Sequence, residues 1–129
     1  MAKKRVFISF DYDHDVNAKV LLAGQAKHDD SPFDFTDASV KDHLTGDWKE
    51  KVRRRLDNID VVIVLCGENT HLAKGVASEL EIVREKNKKY FLLKAYSDKT
   101  CTKPTTALSS DNIYLWTWDN LKLLIGGQR

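Results

Sequence analysis

The sequence predicts an α/β fold, a central parallel sheet covered by helices on both faces, and three observations carry that reading. Strand-like and helix-like segments alternate, about five times, along 129 residues. The strand-like segments, above all DVVIVLC at residues 60–66, are apolar throughout, as strands buried on both faces are. The segments after several of these runs are rich in Asp, Ser, Thr and Asn. That places polar groups at the carboxyl ends of the strands, where open parallel sheets bind ligands.

Residues 5–10 (RVFISF) are β-branched and aromatic and form the first strand. The acidic turn DYDHD at 11–15 leads into a helix over 16–27, with Val16, Val20, Leu21 and Ala23 at helical spacing and an acidic entry that suits its dipole. A polar connection closed by Ser31-Pro32 precedes a short strand at 33–36 (FDFT), which ends at Asp37. After an irregular stretch from 37 to 47, Trp48, Val52 and Leu56 fall at i, i+4 and i+8 and mark the inner stripe of a helix. Residues 60–66 are the central strand, 67–74 a loop at its end and 75–88 a helix. A strand at 90–96 (YFLLKAY) is followed by a long polar connection at 97–111 containing Pro104, then a short strand at 112–115 (NIYL). A last helix at 117–125, capped by Thr117 and ended by Gly126 and Gly127, completes a single domain over 1–129.

Composition narrows the function classes. Hydrophobic residues at 42% and charged residues at 31% are an ordinary globular balance. Lys and Arg (21) nearly cancel Asp and Glu (19), and a net charge of +2 gives no electrostatic case for a nucleic-acid partner. The basic run at 49–55 is broken by Glu50 and Val52 and reads as a solvated helix face. Cys66 and Cys101 supply neither a disulfide framework nor a metal-ligand pair. Cys66, closing an apolar run, is expected to be a small buried hydrophobe and Cys101 a free thiol; both suit a reducing compartment. The apolar run after MAKKR is too short for a signal peptide and no segment reaches membrane-spanning length. A cytoplasmic protein without a membrane partner is expected.

Familiar catalytic signatures are missing. There is no G-x-G-x-x-G after the first strand and no P-loop. His14, His28, His43 and His71 are scattered singly, so no metal site is expected. Ser9 has no G-x-S-x-G elbow around it. Asp11, Asp13 and Asp15 look like the divalent-metal pocket of phosphate-accepting receiver domains. Such a domain needs an aspartate at the end of its central strand, whereas here Asp60 begins that strand and Cys66-Gly67 ends it. A polar turn, with Asp15 capping the following helix, is the preferred reading.

The stretch GVASELEIV, beginning at Gly75, holds two acids that helical phase separates. With Val76, Leu80 and Val83 as the buried stripe, Glu79 lies roughly 60° from its centre and Glu81 about 140° away. Glu79 therefore borders the apolar face, above the strand-end crevice, and Glu81 faces water.

VFISF after a basic start, then FTDASV, then DVVIVLCGENT followed after eight residues by EL, resemble the TIR-like domains of bacteria and archaea. The resemblance is greatest to the TIR subunit of Thoeris anti-phage systems, and it runs from about Lys4 to Tyr96. It implies a flavodoxin-like domain with a five-stranded parallel sheet. It also implies cleavage of NAD, as substrate rather than cofactor, at the nicotinamide–ribose bond, giving ADP-ribose or a cyclic ADP-ribose signal. A self-associating protein that reaches a separate effector through that product is what the family implies. The family's essential glutamate matches Glu79. Where the family frequently has a tryptophan four residues earlier, this chain has Gly75. A single carboxylate suffices for the chemistry, because nicotinamide leaves NAD as a neutral group and needs no general acid. Phe10 and Tyr12 are candidates to pack against the rings of the substrate, and Asp37 and Ser39 to offer polar contacts. Asp11 and Thr70, at the same strand ends, and Gly75, at the start of the following helix, complete the expected substrate-binding set. Two competing readings remain: a non-catalytic TIR interaction module using residues 37–48, which Gly75 favours, and a nucleoside deoxyribosyltransferase-like enzyme with a glutamate nucleophile.

Overall fold

A computed structural model describes residues 4–11, 13–25, 33–35 and 48–126 of the chain. Its strands are β1 (Lys4–Ser9), β2 (Phe33–Phe35), β3 (Val61–Cys66), β4 (Lys89–Lys94) and β5 (Ile113–Tyr114). Its helices are α1 (Val16–Gln25), α2 (Trp48–Leu56), α3 (Lys74–Glu85) and α4 (Trp118–Ile125). The sheet order is β2-β1-β3-β4-β5 and every neighbouring pair is parallel. The α/β class and the parallel sheet with helices are as the sequence predicts. In this order the chain reverses its direction of winding between β1 and β3, so the crevice of a doubly wound sheet falls at the carboxyl ends of those two strands.

Alternation along the strands divides the core. Val6, Ile8 and Phe10 share one face with Ile63, Leu65, Phe91 and Leu93, and this face is covered by Ala18 and Leu22 of α1 and Leu121, Leu124 and Ile125 of α4. Phe7, Val62, Val64 and Leu92 point the other way, against Val52 and Leu56 of α2 and Val76, Leu80 and Val83 of α3. β3 is buried at every position, as its unbroken apolar run requires. Cys66 lies inside this second core as the sequence suggests, and burial pushes its thiol far up, so it behaves as a small apolar residue.

One local expectation fails. In α1 the buried residues are Ala18 and Leu22, while Val20 is 58% and Leu21 66% exposed. This helix is apolar on most of its circumference, so its periodicity does not choose an inward face; the small Ala18 lets the backbone approach the sheet and thereby decides it. The crossover from β4 to β5 contains no helix, in keeping with the long polar connection that the sequence predicts at 97–111. It is held by polar bonds instead. The Tyr90 hydroxyl and the Leu108 amide both donate to the Asp111 carboxylate, at 2.8 and 2.9 Å, and the Lys103 ammonium donates to the Asp111 carbonyl at 2.9 Å.

The helix ends follow from local chemistry. Thr117 caps α4 by accepting from the Asn120 amide at 3.1 Å. α3 closes at Asn87, whose φ of 54° lies in the left-handed region that Asn tolerates better than most residues. α3 and α2 pack side by side, and the Arg53 guanidinium of α2 donates to Glu85 of α3 at 2.9 Å.

Candidate active site

At the carboxyl end of β1, α3 brings a carboxyl group against the sheet. This helix follows the central strand through the Gly67–Ala73 connection, which contains a single 3-10 turn at Thr70–Leu72. Phase predicts that Glu79 borders the apolar face. In the structure it lies fully within that face at 2% exposure, beside buried Val76, Leu80, Ile82 and Val83, while Glu81 is exposed. The buried arc is wider than a single stripe because α3 packs on the sheet with one side and on α2 with another.

A carboxyl so placed needs a hydrogen-bond partner. Ser9, at the end of β1, supplies it: its Oγ donates to Glu79 Oε1 at 2.8 Å, across 70 positions of sequence. Ser9 is itself 1% exposed and sits opposite Val64 in the β1–β3 register, on the same face as Phe7. Among the described residues no other hydrogen-bonds Glu79 and no charged group acts on its ionisation. Burial raises its pKa from 4.5 to about 8, against which the Ser9 hydroxyl acts by favouring the anion. At neutral pH the protonated form therefore predominates.

A second buried carboxyl stands at the same end of the sheet. Asp15 is 2% exposed and accepts from the Tyr96 hydroxyl at 2.8 Å. The expected helix-capping role falls to its backbone, whose carbonyl accepts from the Lys19 amide. Its Oδ2 has no hydrogen-bond partner among the described residues and lies against Gly67. A Cβ at Gly67 would come within 2.5 to 2.8 Å of three atoms of this carboxyl group, so only glycine admits Asp15 here. Burial raises the Asp15 pKa, and the bond from Tyr96 lowers it. Tyr96 is pushed up to about 12, by burial first and by Asp15 second.

The other expected residues divide. Asp11 organises the turn: its carboxylate accepts from the Asp13 amide at 3.0 Å and meets the His14 imidazole at 2.7 Å, which raises the pKa of His14. Phe10 is buried in the α1/α4 core, on the face opposite Glu79, rather than presenting a ring to the crevice. Thr70 is fully buried and accepts from the Gly67 amide at 2.7 Å, so it shapes the loop that leads into α3. Gly75 lies half-buried in the first turn of α3. Tyr12, Asp37 and Ser39 lie outside the described residues, as do His28, His43 and most of the 37–48 segment. Among the described residues no cluster of His, Cys, Asp and Glu could hold a metal ion, and no helix is long and apolar enough to cross a membrane.

Sequence reasoning passed over Ser9, Gly67, Tyr96 and Thr102. The signal for Ser9 was present, since alternation along RVFISF puts the lone hydroxyl of that run on the same face as Phe7. Thr102 had no such signal. Its amide donates to the Gly67 carbonyl at 2.9 Å and its Oγ1 accepts from the His71 amide at 3.1 Å, tying the helix-free crossover to the loop before α3. Thr106 extends that tie by donating to the Ala77 carbonyl at 2.7 Å.

No curated protein matches the chain. A family described as the TIR-like domain of the Thoeris protein ThsB matches residues 7–100, from β1 through the end of β4 and beyond it, and so includes Ser9, Gly67, Glu79 and Tyr96. With a match over most of its length, on the doubly wound sheet described above, this chain belongs to the family of Thoeris ThsB TIR-like domains.

Proposed function

We propose that the chain is a flavodoxin-like TIR enzyme of anti-phage defence that cleaves the nicotinamide–ribose bond of NAD, with Glu79 as its essential carboxylate. The observation that supports this most directly is the Glu79 carboxyl itself. It is buried on the helix after the central strand, at the winding reversal of the sheet, with one hydroxyl as its partner. A buried acid without a cationic partner is costly as an anion, and such groups concentrate where chemistry is done.

The reaction fits that environment. The C1′–N bond breaks with its electron pair passing to the pyridinium ring, so nicotinamide leaves neutral and positive charge develops on the ribose. A carboxylate at that point stabilises the charge and accepts a hydrogen bond from a ribose hydroxyl. The positive ring of bound NAD itself favours ionisation of Glu79, whose pKa of about 8 otherwise keeps it mostly neutral. Water then attacks C1′ to give ADP-ribose, or an adenine nitrogen or ribose hydroxyl attacks it to give a cyclic product. A cyclic product would act on a separate effector. TIR catalysis commonly needs assembly, and self-association is part of this reading.

Incubation with NAD, at high protein concentration and with lysate from infected cells, followed by mass spectrometry, tests the proposal. Nicotinamide release together with ADP-ribose or a cyclic isomer is the expected result. Absence of release under all conditions, with concentration-dependent association, would favour the interaction module instead. The exposed aliphatic side chains of Val20 and Leu21 on α1 are the structural observation on that side. Base exchange between deoxynucleosides would point to the transferase reading.

A further inference from the structure

We propose that Ser9 is the positioning residue of this site: its hydroxyl commits Glu79 Oε1 to the protein and leaves Oε2 as the oxygen that meets the ligand. The role assigned to Oε2 rests on the reading of Glu79 as the reactive carboxylate; the hold of Ser9 on Glu79 does not.

Ser9 is the stiffer partner of the pair. A glutamate has three side-chain torsions, and α3 alone fixes none of them beyond the first. Ser9 has a single torsion and stands on β1, whose backbone is locked to β3 in the register that places Ser9 opposite Val64. The donor therefore has a position set by the most buried part of the sheet, and the 2.8 Å bond transmits that position to the carboxyl. Among the described residues Ser9 alone hydrogen-bonds Glu79, and its bond is to Oε1.

Electrostatics point the same way. Among the described residues, the elements packed against α3 are β1, β3, the 3-10 turn and α2. Among the buried residues of those strands and that turn, Ser9, Val64, Cys66 and Thr70 carry no charge at neutral pH. The cations of α2 and α3 are engaged elsewhere or exposed: Arg53 with Glu50 and Glu85, Lys86 with Asp57, and Arg84 with the Thr106 carbonyl. Two influences on Glu79 then remain, burial against the anion and the Ser9 hydroxyl for it. A hydroxyl that served packing alone would be replaceable by any small side chain without altering when Glu79 ionises.

The experiment is a carboxyl carbon-13 titration of Glu79, assigned with Glu79→Gln, in the native chain, Ser9→Ala and Ser9→Thr, alongside pH profiles of nicotinamide release. In Ser9→Ala the Glu79 midpoint is expected to move above its native value. The rising limb of kcat against pH should move with it, and kcat at pH 7 should fall by about tenfold with KM changed less than about threefold. Ser9→Thr, which keeps the hydroxyl, is expected to restore both midpoint and limb. A folded Ser9→Ala protein with native midpoint and native profile overturns the proposal, and so does a midpoint that moves equally in Ser9→Thr. If the native chain releases no nicotinamide under any condition, the NAD reading fails by itself. The titration then still decides whether Ser9 governs Glu79.

Discussion

Two buried carboxyls face the same end of the sheet, and each accepts one hydroxyl bond of 2.8 Å, Glu79 from Ser9 and Asp15 from Tyr96. Burial raises the pKa of both. They differ in what surrounds the second oxygen. Asp15 Oδ2 is shut against Gly67, and the charges of Asp11, His14 and Lys99 all act on the carboxyl. The Tyr96 bond and the Gly67 contact make Asp15 a clasp that joins the loop after β1 to the ends of β3 and β4. Glu79 is held from one side by a neutral hydroxyl, with no charge from the described residues acting on it. Similar groups with similar first partners thus differ in what lies on their far side: close packing and several charges around Asp15, an uncharged setting among the described residues around Glu79.

The largest effect expected from breaking this comparison is on activity. Glu79→Gln should lower nicotinamide release by about 1,000-fold or more, as loss of a charge that stabilises the transition state does. Asp15→Asn, which keeps the Tyr96 bond, should stay within about threefold of native. Equal losses in the two variants, measured by chromatography, would erase the distinction.

Next in size is the dependence of stability on pH. The folded Glu79 carboxyl ionises near 8 and the unfolded one near 4.5, so folding opposes ionisation between those values. Its cost is absent below pH 4.5, grows as pH rises and levels off above 8. At pH 7 it amounts to about 3 kcal/mol. Glu79→Gln should therefore be more stable than native by about that amount at pH 7 and by almost nothing at pH 4. Urea denaturation at the two values checks this.

A smaller effect concerns the clasp. Gly67→Ala forces a Cβ into the Asp15 carboxyl and should destabilise by about 2 kcal/mol. In an Asp15→Ala background the same change should cost clearly less, because the clash is gone, and a double-mutant cycle of thermal melts measures the difference. The smallest expected effect is that of Glu81→Gln. Lying on the exposed side of α3, it should change neither nicotinamide release nor stability by more than about 0.5 kcal/mol.

Much of the molecule was legible before folding. The unbroken apolar run of β3 announced a central strand, and the i, i+4 spacing of Val52 and Leu56 announced the inward side of α2. Helical phase distinguished Glu79 from Glu81 because Val76, Leu80 and Val83 leave no doubt about which way α3 faces. α1 was illegible for the opposite reason. With Val16, Val20, Leu21 and Leu22 spread around its axis, several inward faces satisfy the same pattern, and contact with the sheet chose the one centred on Ala18 and Leu22.

Sequence alone determined the α/β class, the order of most elements and the acid that α3 turns inward, because each follows from periods of two or 3.6 residues within a short segment. Only the tertiary structure decided what that acid touches. Ser9 and Glu79 are 70 positions apart, and their bond exists because β1 pairs with β3 in one register and α3 lies across that pair. The same holds for Asp15, Gly67 and Tyr96, which come from three separate strand ends. Hydrophobic pattern fixes which way a side chain points within its own element; the distance between two side chains on different elements is fixed by packing, which no local period encodes.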